Sequence, residues 1–243
     1  MRMLVFAKRN VKEIVRDPLT LFFGIAFPSI LLLLLTIIQH NVPAEASPFP
    51  AERLTPSITI FGLSFITLFS ALIVSKDRSG SLLQRLLSSP MTASDFLGGY
   101  ALPLVPLVLA QGIVCYALGM ALGFKASVNV LTGILMLLPC LTVFAGMGLL
   151  FGSILTDKQV GGICGALITN LTAWLSGTFF SLDLVGKAFK TFAYALPFAH
   201  SVDLCVAAAN GNYADMFPHL WVVLAYGVAV CTAAVIVFKK KMK

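Results

Sequence analysis

Six stretches of about twenty apolar residues each, none holding an Asp, Glu, Lys or Arg, constrain this chain more than any other feature. They run over 19–38, 56–75, 99–124, 128–155, 160–180 and 219–238. A helix rises 1.5 Å per residue, so about 20 apolar residues cross a hydrocarbon core about 30 Å thick. Backbone inside lipid must also satisfy its own hydrogen bonds, which helices do. The expected fold class is therefore an all-α membrane protein with six transmembrane helices. Composition agrees: 58% of the 243 residues are hydrophobic and 11% are charged, whereas a soluble chain is charged at about a quarter of its positions. The third and fourth runs are parted only by a turn around Lys125 to Asn129, the fourth and fifth by Thr156 to Gln159. The first run is too long for the apolar part of a signal peptide, so it reads as an uncleaved span despite Ala44-Glu45-Ala46 behind it.

Charge placement sets the expected orientation. Of the 17 Lys and Arg residues, thirteen fall on one side: Arg2, Lys8, Arg9, Lys12 and Arg16, then Lys76, Arg78 and Arg85, then Lys158, and finally Lys239, Lys240, Lys241 and Lys243. Arg53, Lys125, Lys187 and Lys190 fall on the other. The richer side is expected to be cytoplasmic, with both termini inside a multi-pass protein of the plasma membrane. The net charge of +7 sits between apolar runs and at the ends, so it is a membrane pattern and does not point to nucleic acid.

Several local signals sharpen the plan. Asp17-Pro18 and Thr55-Pro56 each place a capping side chain before a proline, as helix starts prefer. Residues 1–18 read as an interfacial helix in which Leu4, Val11, Ile14 and Val15 share a face and Lys8, Arg9 and Lys12 reach lipid headgroups; a disordered basic lead-in is the alternative. The loop 76–98 holds Leu82, Leu83, Leu86 and Leu87 as a helical stripe, with Arg85 elsewhere on the helix and Pro90 ending it. Such a stripe fits a groove on a partner protein, the inner leaflet or the ends of the spans. The segment 181–218 is too apolar for an external loop and too broken to span. Phe189, Phe192, Leu196 and Phe198, interrupted by Pro197, suggest two short helices, either re-entrant or flat on the surface. In the fifth span Asn170, Trp174 and Gly177 share a face, and Asn170 either lines a pathway or bonds a neighbouring helix. Gly119-x-x-x-Gly123, Gly148-x-x-x-Gly152 and Gly161-x-x-x-Gly165 would let helices approach closely.

Other chemistries lack their residues. There is no phosphate-binding G-x-x-x-x-G-K-[ST] loop, no metal-ligand spacing among His40, His200 and His219, and no G-x-S-x-G elbow around Ser64. No catalytic, cofactor or metal residue is expected. The five cysteines, at 115, 140, 164, 205 and 231, read as packing residues. Spans without ionisable residues disfavour ion-coupled transport, which usually needs a buried charge.

Taken in order, several motifs resemble the permease subunits of type 2 ATP-binding-cassette (ABC) exporters. They are Arg16-Asp17-Pro18, Phe27-Pro28, Leu54-Thr55-Pro56, Ser75-Lys76-Asp77-Arg78, and Leu83-x-Arg85-Leu86-x-x-x-Pro90-Met91-x-x-x-Asp95-Phe96. Gly148-Leu149-Leu150-Phe151-Gly152, Ser176-Gly177 and Leu196-Pro197-Phe198 follow. Many relatives hold Glu where this chain has Lys76. The resemblance implies a single permease domain over 1–243, with a coupling helix after the second span and a re-entrant pair before the sixth. It implies a second permease, identical or different, and a separate ABC ATPase subunit that binds ATP and Mg. ATP closure would then act through Leu82, Leu83, Arg85, Leu86 and Leu87. Phe189, Pro197 and Phe198 would form an outer gate, and Asn170 and Trp174 would face the pathway. An amphiphilic or hydrophobic cargo (drug, lipid-like molecule or peptide) would be exported. A secondary carrier or a membrane assembly or immunity factor are the rival readings.

Overall fold

A computed structural model describes residues 2–41, 51–80 and 92–241. The regular secondary structure of the described residues is all helical, without strands. Helix α1 covers Arg2–Arg16, and α2 covers Pro18–Leu21. Asp17 caps α2 as expected: its carboxylate accepts from the Leu19 N–H and the Thr20 hydroxyl, and Pro18 takes the first position, where no N–H is needed. A π-helical turn, Phe22–Ala26, leads into α3, Phe27–His40. Pro28 offers no N–H to the Gly24 carbonyl, and the wider turn lies over that gap.

Helix α4 spans Ala51–Ser79. The expectation of a helix start at Thr55-Pro56 is wrong, because Pro56 lies inside the helix. Its missing N–H leaves the Glu52 carbonyl open, and the Asn210 side-chain amide donates to that oxygen at 3.2 Å. The chain resumes with α5, Ala93–Ala101, and α6, Leu104–Ala121. Then come α7, Asn129–Leu135, and α8, Leu137–Ile154. Helix α9, Asp157–Val160, a π stretch Gly161–Ile168 and α10, Thr169–Leu175, form one helical run. This fifth run stops at Leu175, short of the expected 180, because Gly177 takes φ +70 and turns the chain. After a 3₁₀ turn at Leu182–Leu184 come α11, Lys187–Tyr194, α12, Pro197–Asn210, and α13, Tyr213–Lys241.

Five helical units among the described residues are long and apolar enough to cross a membrane: Pro18–His40, Glu52–Ser79, Asp95–Ala121, Asn129–Ile154 and Tyr213–Lys240. Helices α11 and α12 form a pair bent by 84° that would make a sixth such unit or a re-entrant loop. The protein is thus an all-α, multi-pass membrane protein. Helix α4 is its axis: 83% of its apolar stretch is buried, against 28% for Pro18–His40 and 17% for α13.

The Gly148-x-x-x-Gly152 motif explains how α8 reaches that axis. A Cβ at Gly148 would lie 2.5 Å from the Thr67 carbonyl oxygen, and one at Gly152 would lie 2.6 Å from that of Ala71. Only hydrogen fits there, so the two backbones touch. A Cβ at Gly161, in the third such motif, would meet nothing within 4 Å. Helix α12 is enclosed rather than flat on the surface: Pro197, Phe198, Ala199, Ser201, Val202, Leu204 and Cys205 are all buried. Of the five cysteines, four are buried and Cys231 is half-buried, and all are free.

Candidate functional site

Charged side chains gather at the two ends of α4. At its C-terminal end, Arg9 of α1 grips Asp77 with both guanidinium arms, at 2.6 and 3.0 Å. Tyr100 of α5 donates its hydroxyl to the same carboxylate at 3.0 Å. Asp77 is 7% exposed and Arg9 39%. The hydrogen bond to Asp77 raises the Arg9 pKa above the ordinary guanidinium value, and its partial burial acts the other way. Arg9 also pairs with Glu13 at 2.9 Å, and Asn10, fully buried, donates to the Gly99 carbonyl at 2.9 Å. Next along α4, Arg78 donates to the Ser153 and Leu155 carbonyls. These are orphan acceptors at the C-terminus of α8, where a cation also favours the helix dipole. Phe6, Phe96, Tyr100 and Phe238 stack edge-on or tilted beneath, binding α1, α5 and α13 together. Thr92 and Asp95 start α5 with a reciprocal capping box. We call this the basic end.

The motif residues Asp77, Arg78 and Phe96 thus hold five helices together where the chain enters and leaves the 76–98 loop, with Asp95 capping α5. The expected coupling residues Leu82, Leu83, Arg85, Leu86 and Leu87 lie outside the described residues. The face expected on α1 is split. Ile14 points into the protein with Phe6, Ala7 and Asn10, while Leu4 and Val15 are each 61% exposed.

At the opposite end, Arg53 of α4 pairs with Asp203 of α12 at 2.9 Å, and Tyr194 of α11 donates to the other Asp203 oxygen at 2.5 Å. His200 and His219 face each other, Nδ1 to Nδ1, at 2.8 Å, and His200 Nε2 lies 3.0 Å from the Tyr194 carbonyl. A carbonyl only accepts, so His200 Nε2 carries a hydrogen. With His200 neutral, its Nδ1 then accepts from the His219 Nδ1–H. A groove of about 450 Å³ opens beside these groups, lined in part by Glu52, Asp203, Asn210, Asp215 and His219.

The expected gate residues occupy different settings. Phe198 is buried against the Phe144 ring, at 6.0 Å between centroids, and Pro197 begins the buried α12. Phe189 is half-buried beside Phe180. On the fifth helical run Asn170 and Trp174 are exposed on one face, in line with exposed Gly162 and Ala166. Gly177 does not share that face; it is buried past the end of the helix. Asn170 bonds its own helix, donating to the Ala166 carbonyl at 2.8 Å, rather than a neighbouring one.

The roles of Arg9, Tyr100, Arg53, Asp203 and the histidine pair were not anticipated from sequence. One signal was available: an aspartate inside the apolar run Phe198–Ala209 needs a partner. Among the described residues, no group of His, Cys, Asp and Glu has the arrangement to hold a metal ion. A family model described as ABC-2 type transporter matches residues 1–209, from α1 to nearly the end of α12. No curated protein matches the chain.

Proposed function

The chain belongs to the ABC-2 type transporter family, and from that premise we propose that it is the membrane-spanning permease of an ATP-driven exporter. The observation that carries this reading is the family match over 1–209 on a chain with five long apolar helices. ATP and Mg bind a separate ATPase subunit, and two permeases pair above two such subunits. The basic end faces the cytoplasm of a cell whose plasma membrane holds the protein. The excess of Lys and Arg on that side supports the orientation.

Energy enters through the leucines at 82–87, which dock in an ATPase groove. What supports this is their place in the chain, directly after a helix end pinned by Asp77 and Arg78. Any displacement of that loop pulls on α4, and α4 leads to Arg53 and the bent helix pair. Phe189, Pro197 and Phe198 belong to the outer gate. The exposed face carrying Asn170 and Trp174 lines the pathway, and an amide beside an indole on a small-residue helix suits an amphiphilic cargo such as a drug, a lipid-like molecule or a peptide.

The test uses vesicles holding the permease with its cognate ATPase. ATP-dependent outward movement of an amphiphilic dye is expected, with no hydrolysis by the permease alone. Robust hydrolysis by the purified single chain would sink the reading. Single cysteines at Glu45 and Asp215 should label from outside intact cells and one at Ser88 should not.

A further inference from the structure

We propose that α1 carries a binding site for an anionic phospholipid headgroup, with Lys8, Lys12 and Arg16 as its ligands. Helix α1 has three faces. Phe6, Ala7, Asn10 and Ile14 point into the protein and are buried. Leu4 and Val15 point outward, continuing into exposed Leu19 and Phe22 and then the exposed Ile30, Leu33 and Ile37 of the first span. Lys8, Lys12 and Arg16 follow one another at four-residue spacing, which puts them on one side of the helix about 6 Å apart.

That third face carries four cations against two acids. It lines a groove of about 700 Å³ that also contains Val5, Arg9, Glu13 and Asp17. Both acids are engaged: Glu13 pairs with Arg9, and Asp17 accepts from the Leu19 N–H and the Thr20 hydroxyl. Arg9 is committed to Asp77. Among the described residues, no acid pairs with Lys8, Lys12 or Arg16. Like charges at this spacing repel one another, so the row is stabilised by an anion from outside the chain. The exposed Leu4, Val15, Leu19 and Phe22 beside it require hydrocarbon, which places the cations at headgroup depth. A phosphodiester with a net negative charge meets both demands, with Val5, 72% exposed, against its glycerol. The site needs the membrane but not the export reading. Its assignment to the inner leaflet rests on the orientation proposed above, while the readout below is independent of leaflet.

The permease, purified and placed in nanodiscs of phosphatidylcholine with a minor share of phosphatidylglycerol, is analysed by native mass spectrometry for retained lipid. Wild type should retain phosphatidylglycerol about fivefold or more above its bulk share, since each cation near an anionic headgroup contributes about a factor of five. The enrichment should fall as NaCl is raised from 50 to 500 mM. A Lys8→Gln, Lys12→Gln, Arg16→Gln variant should retain lipid at the bulk ratio, while Lys8→Arg with Lys12→Arg should keep the enrichment. Arg9 and Glu13 are untouched in both. No enrichment in wild type, enrichment indifferent to salt, or enrichment unchanged in the triple variant would each overturn the proposal. If the triple variant instead lost its ATPase while keeping its lipid, the row would be a protein dock.

Discussion

Each end of α4 holds one aspartate between an arginine and a tyrosine, yet the two trios tie together different things. At the basic end Asp77 joins residues remote in sequence, Arg9 lying 68 positions away and Tyr100 23. Three separate helices meet on one carboxylate that is 7% exposed. At the opposite end Tyr194 lies only nine residues before Asp203, across the bend of the α11–α12 pair. That trio clamps a local hinge and ties it to α4 through one ion pair beside an open groove, where Asp203 is 13% and Arg53 33% exposed. Loss of the Arg53 contact would leave the bent pair tied to α4 by the Asn210 amide on the Glu52 carbonyl, with Tyr194 and Asp203 still together. At the basic end no single contact holds the junction, because Asn10 and the aromatic stack also join α1 to α5 while Arg78 joins α4 to α8. One end is thus a junction of contacts remote in sequence, the other a local bend with two polar ties to α4.

The hardest blow to this comparison would come from Asp77→Ala. It takes both arms of Arg9 and the buried Tyr100 hydroxyl off their shared acceptor, three hydrogen bonds to a charged group that together contribute about 3–5 kcal/mol. Thermal unfolding in detergent should show a drop of that order. Phe198→Ala, which empties a buried site against Phe144, should lose about 3 kcal/mol or somewhat more, whereas half-buried Phe189→Ala should change efflux with much less effect on stability. Asp203→Ala should cost less, about 1–2 kcal/mol, because the Tyr194 hydroxyl it leaves behind is half-buried and can rehydrate, whereas Tyr100 is 2% exposed. If Asp203→Ala proved as damaging as Asp77→Ala, the contrast between the two ends would fail. The smallest effect is expected for Asn210→Ala, about 0.5–1 kcal/mol, since water can reach the Glu52 carbonyl left open by Pro56.

Five of the expected spans were legible in the sequence because lipid demands long apolar helices; the run expected at 160–180 is not among the helices long and apolar enough to cross. Their ends were not. The second helix extends to Ser79 beyond the apolar run because Asp77 and Arg78 find partners on α1, α5 and α8 rather than water. Thr55-Pro56 imitates a helix start, and only the tertiary contact from Asn210 reveals a proline tolerated inside a helix. The fifth helix stops early at a glycine whose positive φ no apolar pattern encodes. The charged trios were equally hidden. Arg53 reads from sequence as one of a few positive charges on the poorer side, and its real partner is 150 residues downstream. What remained visible was the motif order around Asp77-Arg78 and Asp95-Phe96, residues that lie close in sequence on either side of one loop.

The central claim is that energy enters at the basic end through the leucines at 82–87 and leaves as motion of the bent pair. Its most direct measurement is ATP-driven outward transport in vesicles holding the permease and its ATPase, made with Leu83→Ala combined with Leu86→Ala. Each docked leucine truncated should cost about 2–5 kcal/mol of contact, more than a small interface can lose twice. The account predicts a double variant that inserts at wild-type abundance but loses ATPase co-purification and transport together. A double variant that is stably inserted, still binds its ATPase and still exports would contradict it.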